Sequence, residues 1–432
     1  MPTVAFSTLG CRLNQAESDS MAEQLAADGF GSASSDESPD VVVINTCTVT
    51  REATKGSRMA IRRAVRNHPD AKIVVVGCYA VSDPEEVAAI EGVDVIAGND
   101  AKDHIVSALA AAPQTAPLLQ IPRLRTQPAV PARVRANVKV QTGCDEFCTF
   151  CIIPPTRGPL RSMEPASLIE EARARVAAGA RELVLTGVHL GKFAYDTGGD
   201  ERDLIRLWQE LLSIPGVLRL RLSSILSQHL TGDVLDYMQS EPRICRYLHV
   251  PLQSGDDGVL TAMNRPYDIR GYLDAVRRAK GALPGLALAT DIIVGFPGET
   301  DDAFEQTMDV VREVRFSKLH VFRYSARPGT PAADMPDEIP PGVKKERSKR
   351  LIDLGNEIRR QWLLDHLRSP LEVLVEDERE IDGQPVCSGQ TDDYVRVWFE
   401  GAGLMGKVVI VLGHEVRADG IRGATVVEPI RV

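Results

Sequence analysis

Three short β-branched runs, TVAFST (Thr3–Thr8), VVVINT (Val41–Thr46) and KIVVVG (Lys72–Gly77), each lead into a cysteine: Cys11, Cys47 and Cys78. Helical patterns lie between or after them, at Gln15–Asp28, Arg51–Arg66 and Pro84–Ile90. Near-continuous apolar strands separated by helices predict a parallel sheet covered on both faces, because both sides of each strand have to be buried. Open parallel sheets bind ligands outside the carboxyl ends of their strands. Three thiols at three such ends can therefore converge on one site. The bland alternative is three unrelated buried cysteines, since free cysteine is among the most buried residue types.

A second triad follows. The stretch GCDEFCTFCIIPPTRGPLR (Gly143–Arg161) sets Cys144, Cys148 and Cys151 in a C-x3-C-x2-C spacing, directly after the strand-like run ANVKVQ (Ala136–Gln141). Thiolates select zinc, copper(I) or iron–sulfur clusters. A structural zinc site closes with four ligands, and no fourth Cys or His lies within the loop. A 4Fe-4S cluster usually takes four thiolates, so three leave one iron open to an outside ligand. That geometry is reactive rather than structural, with a zinc knuckle as the alternative.

Eight cysteines in 432 residues, six of them where ligands would sit, argue against a disulfide framework. Cys245 and Cys387 belong to neither triad and read as structural. The net charge of −10 excludes nucleic-acid binding by the surface as a whole but leaves room for a local basic face. One candidate is the stripe Arg51, Lys55, Arg58, Arg62 and Arg66, whose steps of three and four put all five on one side of a helix. It is either a solvated face or a strip for phosphates. No apolar run approaches the roughly 20 residues that span a bilayer. The N-terminus MPTVAFSTLG lacks the pattern of a signal peptide, so the expectation is a cytoplasmic protein with no membrane partner.

Residues 111–134 are proline-rich, aperiodic and basic, and read as a linker between domains. Beyond them strand and helix patterns alternate again, with strands at Ala136–Gln141, Glu182–Thr186, Leu218–Ser223, Tyr247–Val250, Ala287–Val294 and Lys318–Phe322. Six such units predict an open (β/α)6 barrel, with chemistry at the C-terminal strand ends. TGVHLG, PLQSGDD and VGFPGET fall at those ends. A charged helical stretch over 341–368 precedes short strands with Gly- and Asp-containing turns, as in a small all-β barrel. The predicted fold class is α/β: a parallel α/β sheet domain over 1–110, a linker over 111–134, the barrel with its trailing helix over 135–368, and the small barrel over 369–432.

The ordered motifs TLGCRLNQAESD, VVINTCTVT, VVVGCYA, GCDEFCTFCIIPPTRGPLRS, LTGVHLG, HVPLQSGDDGVLTAMNRPY, TDIIVGFPGET and YSARPGTPAADM resemble the radical S-adenosylmethionine methylthiotransferases over essentially the whole chain. The resemblance implies that Cys144, Cys148 and Cys151 hold a radical 4Fe-4S cluster, and that Cys11, Cys47 and Cys78 hold an auxiliary one. It implies S-adenosylmethionine as cosubstrate, with Thr186, Gly187, Gln253 and Asp291 as candidate contacts. The stripe Arg51 to Arg66 becomes a candidate RNA contact. The segment GQPVCSGQTDDYVRV looks like a TRAM domain, although the last 62 residues hold six Arg or Lys against twelve acids. Implied partners are tRNA and a flavodoxin- or ferredoxin-like reductant.

GCRLNQAES, NTCTVT and TGVHLG look most like the branch that methylthiolates threonylcarbamoyladenosine in tRNA. The other branches act on isopentenyladenosine in tRNA or on a ribosomal-protein aspartate. A non-catalytic, metal-stabilised RNA-binding protein is the alternative of a different class. The chain departs from the family pattern at Ser223–Ser227, SSILS, where an acidic residue is usual, and at Arg323, where proline is usual.

Overall fold

A computed structural model describes residues 1–33, 37–110 and 133–427; most of the expected linker lies outside the described residues. The chain divides into two compact units. One comprises the described part of Met1–Pro131 with Thr142–Leu160 and Arg327–Thr330; the other comprises Ala132–Gln141, Arg161–Ala326 and Pro331–Val432.

The first unit is a five-stranded, all-parallel sheet with strand order β2-β1-β3-β4-β5, built from β1 (Thr3–Thr8), β2 (Gly31–Ser32), β3 (Val41–Thr46), β4 (Lys72–Gly77) and β5 (Val95–Ala97). Its helices are α1 (Arg12–Ala27), α2 (Arg51–Asn67), α3 (Cys78–Ser82), α4 (Pro84–Ala88), α5 (Ile105–Ala110) and, from the cysteine loop, α6 (Ile153–Arg157). Alternation along the strands feeds two cores. Val42, Ile44, Ile73 and Val75 pack with Ile61 of α2. Val41, Val43, Val74 and Val76 pack with Met21 and Leu25 of α1. The sheet is thus covered on both faces, as the unbroken apolar runs require.

In the second unit, β6 (Arg135–Lys139), β9 (Glu182–Thr186) and β10 (Arg219–Leu222) form one parallel sheet, and β11 (Tyr247–His249), β12 (Ala287–Val294) and β13 (Lys318–Arg323) another. Two further short strands, β7 (Gln141–Thr142) and β8 (Arg161–Ser162), flank the cysteine loop. Single parallel bridges, Leu220 to Ile244 and Ser224 to His249, connect the two sheets. Six parallel strands therefore follow one another in chain order. Helices α7 (Pro165–Ala177), α8 (Glu201–Leu212), α9 (Gly232–Ser240), α10 (Asp257–Ala262), α11 (Ile269–Ala282) and α12 (Asp301–Val314) intervene. Trp208, Leu220, Leu248, Tyr272, Leu288 and Val311 belong to the one core they enclose. Helix α13 (Pro341–His366) leads into a closed, mostly antiparallel barrel in the order β14-β15-β16-β18-β17, made of β14 (Pro370–Ile381), β15 (Gln384–Gln390), β16 (Arg396–Glu400), β17 (Val408–Arg417) and β18 (Gly420–Val427).

The strands β6, β9 and β10 meet that small barrel through a buried charge network. Glu182, fully buried at the start of β9, accepts Arg221 Nε at 2.6 Å and Arg135 Nε at 2.8 Å. Arg135 donates onward to Tyr394 Oη at 2.8 Å, and Arg221 to the carbonyl of Asp392 at 2.8 Å while lying 4.3 Å over the Tyr394 ring. Burial alone would raise the Glu182 carboxyl; Arg221 and Arg135 outweigh it and hold the group down at about 2. A carboxyl depressed in the fold contributes stability above its unfolded value of 4.5, and that contribution is lost as pH falls from 4.5 towards 2. Removing one partner of a buried pair strands the other charge. Glu182→Gln should therefore destabilise this unit by about 3–5 kcal/mol at neutral pH. Denaturant titration of the variant should also show a weaker loss of stability between pH 4.5 and 2 than the parent does.

Candidate functional site

Parallel register brings the first three thiols together. Thr46 of β3 pairs with Gly77 of β4, so Cys47 and Cys78, each the next residue, lie side by side. Thr8 of β1 pairs with Asn45, and the Leu9 amide donates to the Asn45 carbonyl at 2.9 Å, which turns Gly10 and Cys11 over the same edge. Gly10 has φ +93°, and a Cβ there would stand 2.8 Å from Cys47 Sγ, so only glycine admits this approach. Ser57 of α2 clamps Cys47: its hydroxyl accepts the Cys47 amide at 3.0 Å and donates to the Cys47 carbonyl at 2.8 Å. Beyond Cys47, Thr48 Oγ1 accepts Arg327 Nη2 at 2.6 Å. Burial, with smaller additions from Cys11 and Cys78, pushes the Cys47 thiol up to about 11 against the lowering effect of the Val49 amide and of Arg157.

The second triad is folded by its own loop. The Cys151 amide donates to the Cys148 carbonyl at 3.0 Å, and the Ile153 amide to Cys151 Sγ at 3.4 Å as α6 begins. Gly143 opens the loop at φ +70°, where a Cβ would overlap the Pro159 carbonyl oxygen at 1.8 Å. Burial raises the Cys144 thiol, with the Glu146 amide opposing. Cys148 is buried, and Phe147 before it projects outward at φ +45°.

All eight cysteines are thiols. Among the described residues no three His, Cys, Asp or Glu side chains stand together as ligands of a single ion. The donor chemistry suits an iron–sulfur cluster: each set is three sulfurs at one edge of one sheet or one loop, and a buried thiol such as Cys47 gives up its proton to a metal rather than to water.

The strand ends of the second unit hold a separate polar group. Gln253 has φ +69°; its amide donates to the Asp291 carbonyl at 2.8 Å, and its buried Oε1 has no partner among the described residues. Asp291 Oδ1 lies 3.1 Å from His249 Nε2, close enough for an ion pair but off the line of a hydrogen bond. His249 Nδ1 is hydrogen-bonded to Ser224 Oγ at 3.0 Å, and its ring lies 5.5 Å from that of His320. Thr186 is buried at the end of β9, and Gly187 packs so close to Gln141 that a Cβ would sit 2.9 Å from Gln141 Oε1.

Two families match the chain: residues 3–98 match an uncharacterized protein family, UPF0004, and residues 138–311 the radical SAM superfamily. Threonylcarbamoyladenosine tRNA methylthiotransferase MtaB of Bacillus subtilis is 39% identical over 95% of this chain and 93% of its own. The chain belongs to the radical S-adenosylmethionine methylthiotransferases. Another member, the tRNA-2-methylthio-N(6)-dimethylallyladenosine synthase of Acidothermus cellulolyticus, is 37% identical over 86% of this chain and 77% of its own. The radical S-adenosylmethionine methyltransferase TsrM of Kitasatospora setae, solved with tryptophan and a SAM analog, shares the fold at TM-score 0.57 and 16% identity over 77% of this chain and 75% of that one.

In this methylthiotransferase the basic stripe lies on α2, whose Thr54, Ser57, Ile61 and Ala64 face the sheet. Arg51, Lys55, Arg62 and Arg66 are exposed. Arg58 is committed instead to Tyr79 Oη at 3.2 Å and to Glu86, so it anchors the helix. Sequence reasoning missed Ser224, His249 and His320, whose meeting depends on strand register. It also missed a network of Asn14, Glu17, Lys102 and Arg157 beside the first triad, although Asn14, Glu17 and Arg157 stand inside the motifs.

If the triads hold separate 4Fe-4S clusters, reconstituted protein should carry about eight irons per chain. Cys47→Ala and Cys148→Ala should each leave about four, as measured by iron and sulfide analysis. Loss of all iron on either substitution would point to one shared centre.

Proposed function

We propose that this methylthiotransferase converts N6-threonylcarbamoyladenosine at position 37, beside the anticodon of tRNA, into its 2-methylthio form. The observation that carries this reading is the match to a threonylcarbamoyladenosine enzyme along 95% of the chain, together with the branch-like stretches GCRLNQAES, NTCTVT and TGVHLG. Cys144, Cys148 and Cys151 would hold the radical cluster, and Cys11, Cys47 and Cys78 the auxiliary cluster. When bound, the two clusters and S-adenosylmethionine supply a methylated sulfur and a radical able to take hydrogen from adenosine C2.

The chain's own residues bind, orient and exclude. Gly10 lets backbone close over Cys47. Gln253 points a buried carbonyl oxygen with no partner among the described residues at the strand ends, where it can accept from the amino group of S-adenosylmethionine. Asp291, whose Oδ1 lies 3.1 Å from His249 Nε2, could accept from a ligand hydroxyl. Thr186 and Gly187 offer backbone close to Gln141. Arg51, Lys55, Arg62 and Arg66 would meet tRNA phosphates. No described helix is long and apolar enough to cross a membrane; the reaction belongs in the cytoplasm, with tRNA and a flavodoxin- or ferredoxin-like reductant. The closed C-terminal barrel is read as the TRAM domain, and its acidic balance leaves phosphate contact to α2.

Incubation of anaerobically reconstituted protein with S-adenosylmethionine, dithionite and tRNA carrying threonylcarbamoyladenosine should yield the 2-methylthio nucleoside on mass analysis. Product from isopentenyladenosine tRNA alone would move the enzyme to the branch of its 37% identical relative. Cleavage of S-adenosylmethionine with neither tRNA changed would leave the protein-aspartate substrate. Arg62→Glu with Arg66→Glu should weaken tRNA binding most at low salt, and should flatten the dependence of log affinity on log salt by about 2. An unchanged slope would remove α2 from the phosphate contact.

A further inference from the structure

We propose that Arg157 is a positioning residue of the auxiliary site: it fixes a buried positive charge among Cys11, Cys47 and Cys78 and so sets the reduction potential of the group they hold. The inference rests on the assignment of those three cysteines as cluster ligands.

Arg157 ends α6, six residues beyond the last cysteine of the radical triad, yet its guanidinium is buried against α1. Its Nη1 donates to Glu17 Oε1 at 2.7 Å, and its Nη2 to Asn14 Oδ1 at 2.6 Å. Asn14 in turn donates through Nδ2 to the carbonyls of Leu9 at 2.7 Å and Thr46 at 3.0 Å, the backbone that leads into Cys11 and Cys47. Towards Cys78, Asn99 Nδ2 donates to the carbonyl of Thr156 at 2.7 Å and lies 3.9 Å from Cys78 Sγ. The guanidinium is thus braced through Asn14 against the approaches to Cys11 and Cys47, and the backbone just before it reaches Cys78 through Asn99.

Charge follows the same geometry. Lys102 Nζ, itself buried, takes the other oxygen of Glu17 at 2.6 Å. Two cations therefore share one carboxylate. A buried cation is costly without counter-charge, and thiolates at Cys11, Cys47 and Cys78 would add negative charge beside Arg157. Arg157 acts electrostatically on Cys11, Cys47 and Cys78, and Lys102 on Cys78. Burial alone would lower the affinity of Arg157 for its proton; Glu17 and then Cys78 reverse this. Net charge, and hydrogen bonds to sulfur such as that of Asn99, are the levers by which a protein sets a cluster potential. A fixed cation favours the reduced state, which carries one more negative charge.

The test uses the full chain with Cys144→Ala, Cys148→Ala and Cys151→Ala, so that only the auxiliary triad is loaded, and reads the potential by titration followed by electron paramagnetic resonance. Arg157→Gln should shift it negative by at least 59 mV, a tenfold change for a one-electron couple. Glu17→Gln, which removes the carboxylate that neutralises the Arg157 guanidinium, should shift it positive. Arg157→Lys should restore most of the parent value, and a purely structural role would not give shifts of opposite sign. Potentials unchanged in both variants at full iron loading would overturn the proposal alone. A parent that takes up no cluster would overturn the ligand assignment and the proposal with it.

Discussion

In each unit a single buried carboxylate is shared between two cations, and the placement of the surrounding elements depends on satisfying it. Glu17 on α1 holds Lys102 and Arg157; Glu182 on β9 holds Arg135 and Arg221. Charges taken out of water cost several kcal/mol each unless partners and hydrogen bonds are nearly ideal. Such a network therefore tolerates one arrangement of its elements. In the first unit it binds α1, the turn at Asp100–His104 and the end of the cysteine loop into one body, with both thiol triads upon it. In the second it ties β6, β9 and β10 to the turn at Gln390–Tyr394 of the small barrel.

The two networks have different consequences because of where they lie. Glu182 stands at the amino end of its strand, the end that in parallel barrels serves stability, while Gln253, Asp291 and His249 gather at the carboxyl ends, where ligands bind. Glu17 instead lies beside the thiols at the carboxyl ends of its own sheet. Cys47 and Cys78 are buried, and a low-dielectric surrounding magnifies every nearby charge. On the proposal made for Arg157, the same charges that pack the unit also bear on the group held by the first triad.

Much of this was legible in the chain. The strands Thr3–Thr8, Val41–Thr46, Lys72–Gly77, Glu182–Thr186 and Ala287–Val294 have the bounds that their β-branched runs predict. Helix ends were less legible: α1 begins at Arg12 rather than Gln15, and Pro84–Ile90 shortens to Pro84–Ala88 behind a separate turn of helix at Cys78–Ser82. Edge strands Gly31–Ser32 and Val95–Ala97 are too short to leave a periodic signal. The stripe on α2 was visible, but the capture of Arg58 by Tyr79 and Glu86 was not, since helical periodicity gives a direction and not a partner.

The sequence by itself determined the fold class, the two cysteine triads and the family, because strand propensity, unbroken apolar runs and local ligand spacing are written along the chain. Only the tertiary structure decided that Lys102 and Arg157 share Glu17, that Asn14 joins the approaches to Cys11 and Cys47, and that Asp291 is paired with His249. These groups lie far apart in sequence and meet through parallel register and burial. An ionic side chain carries no mark of its partner until folding removes the water that would otherwise satisfy it.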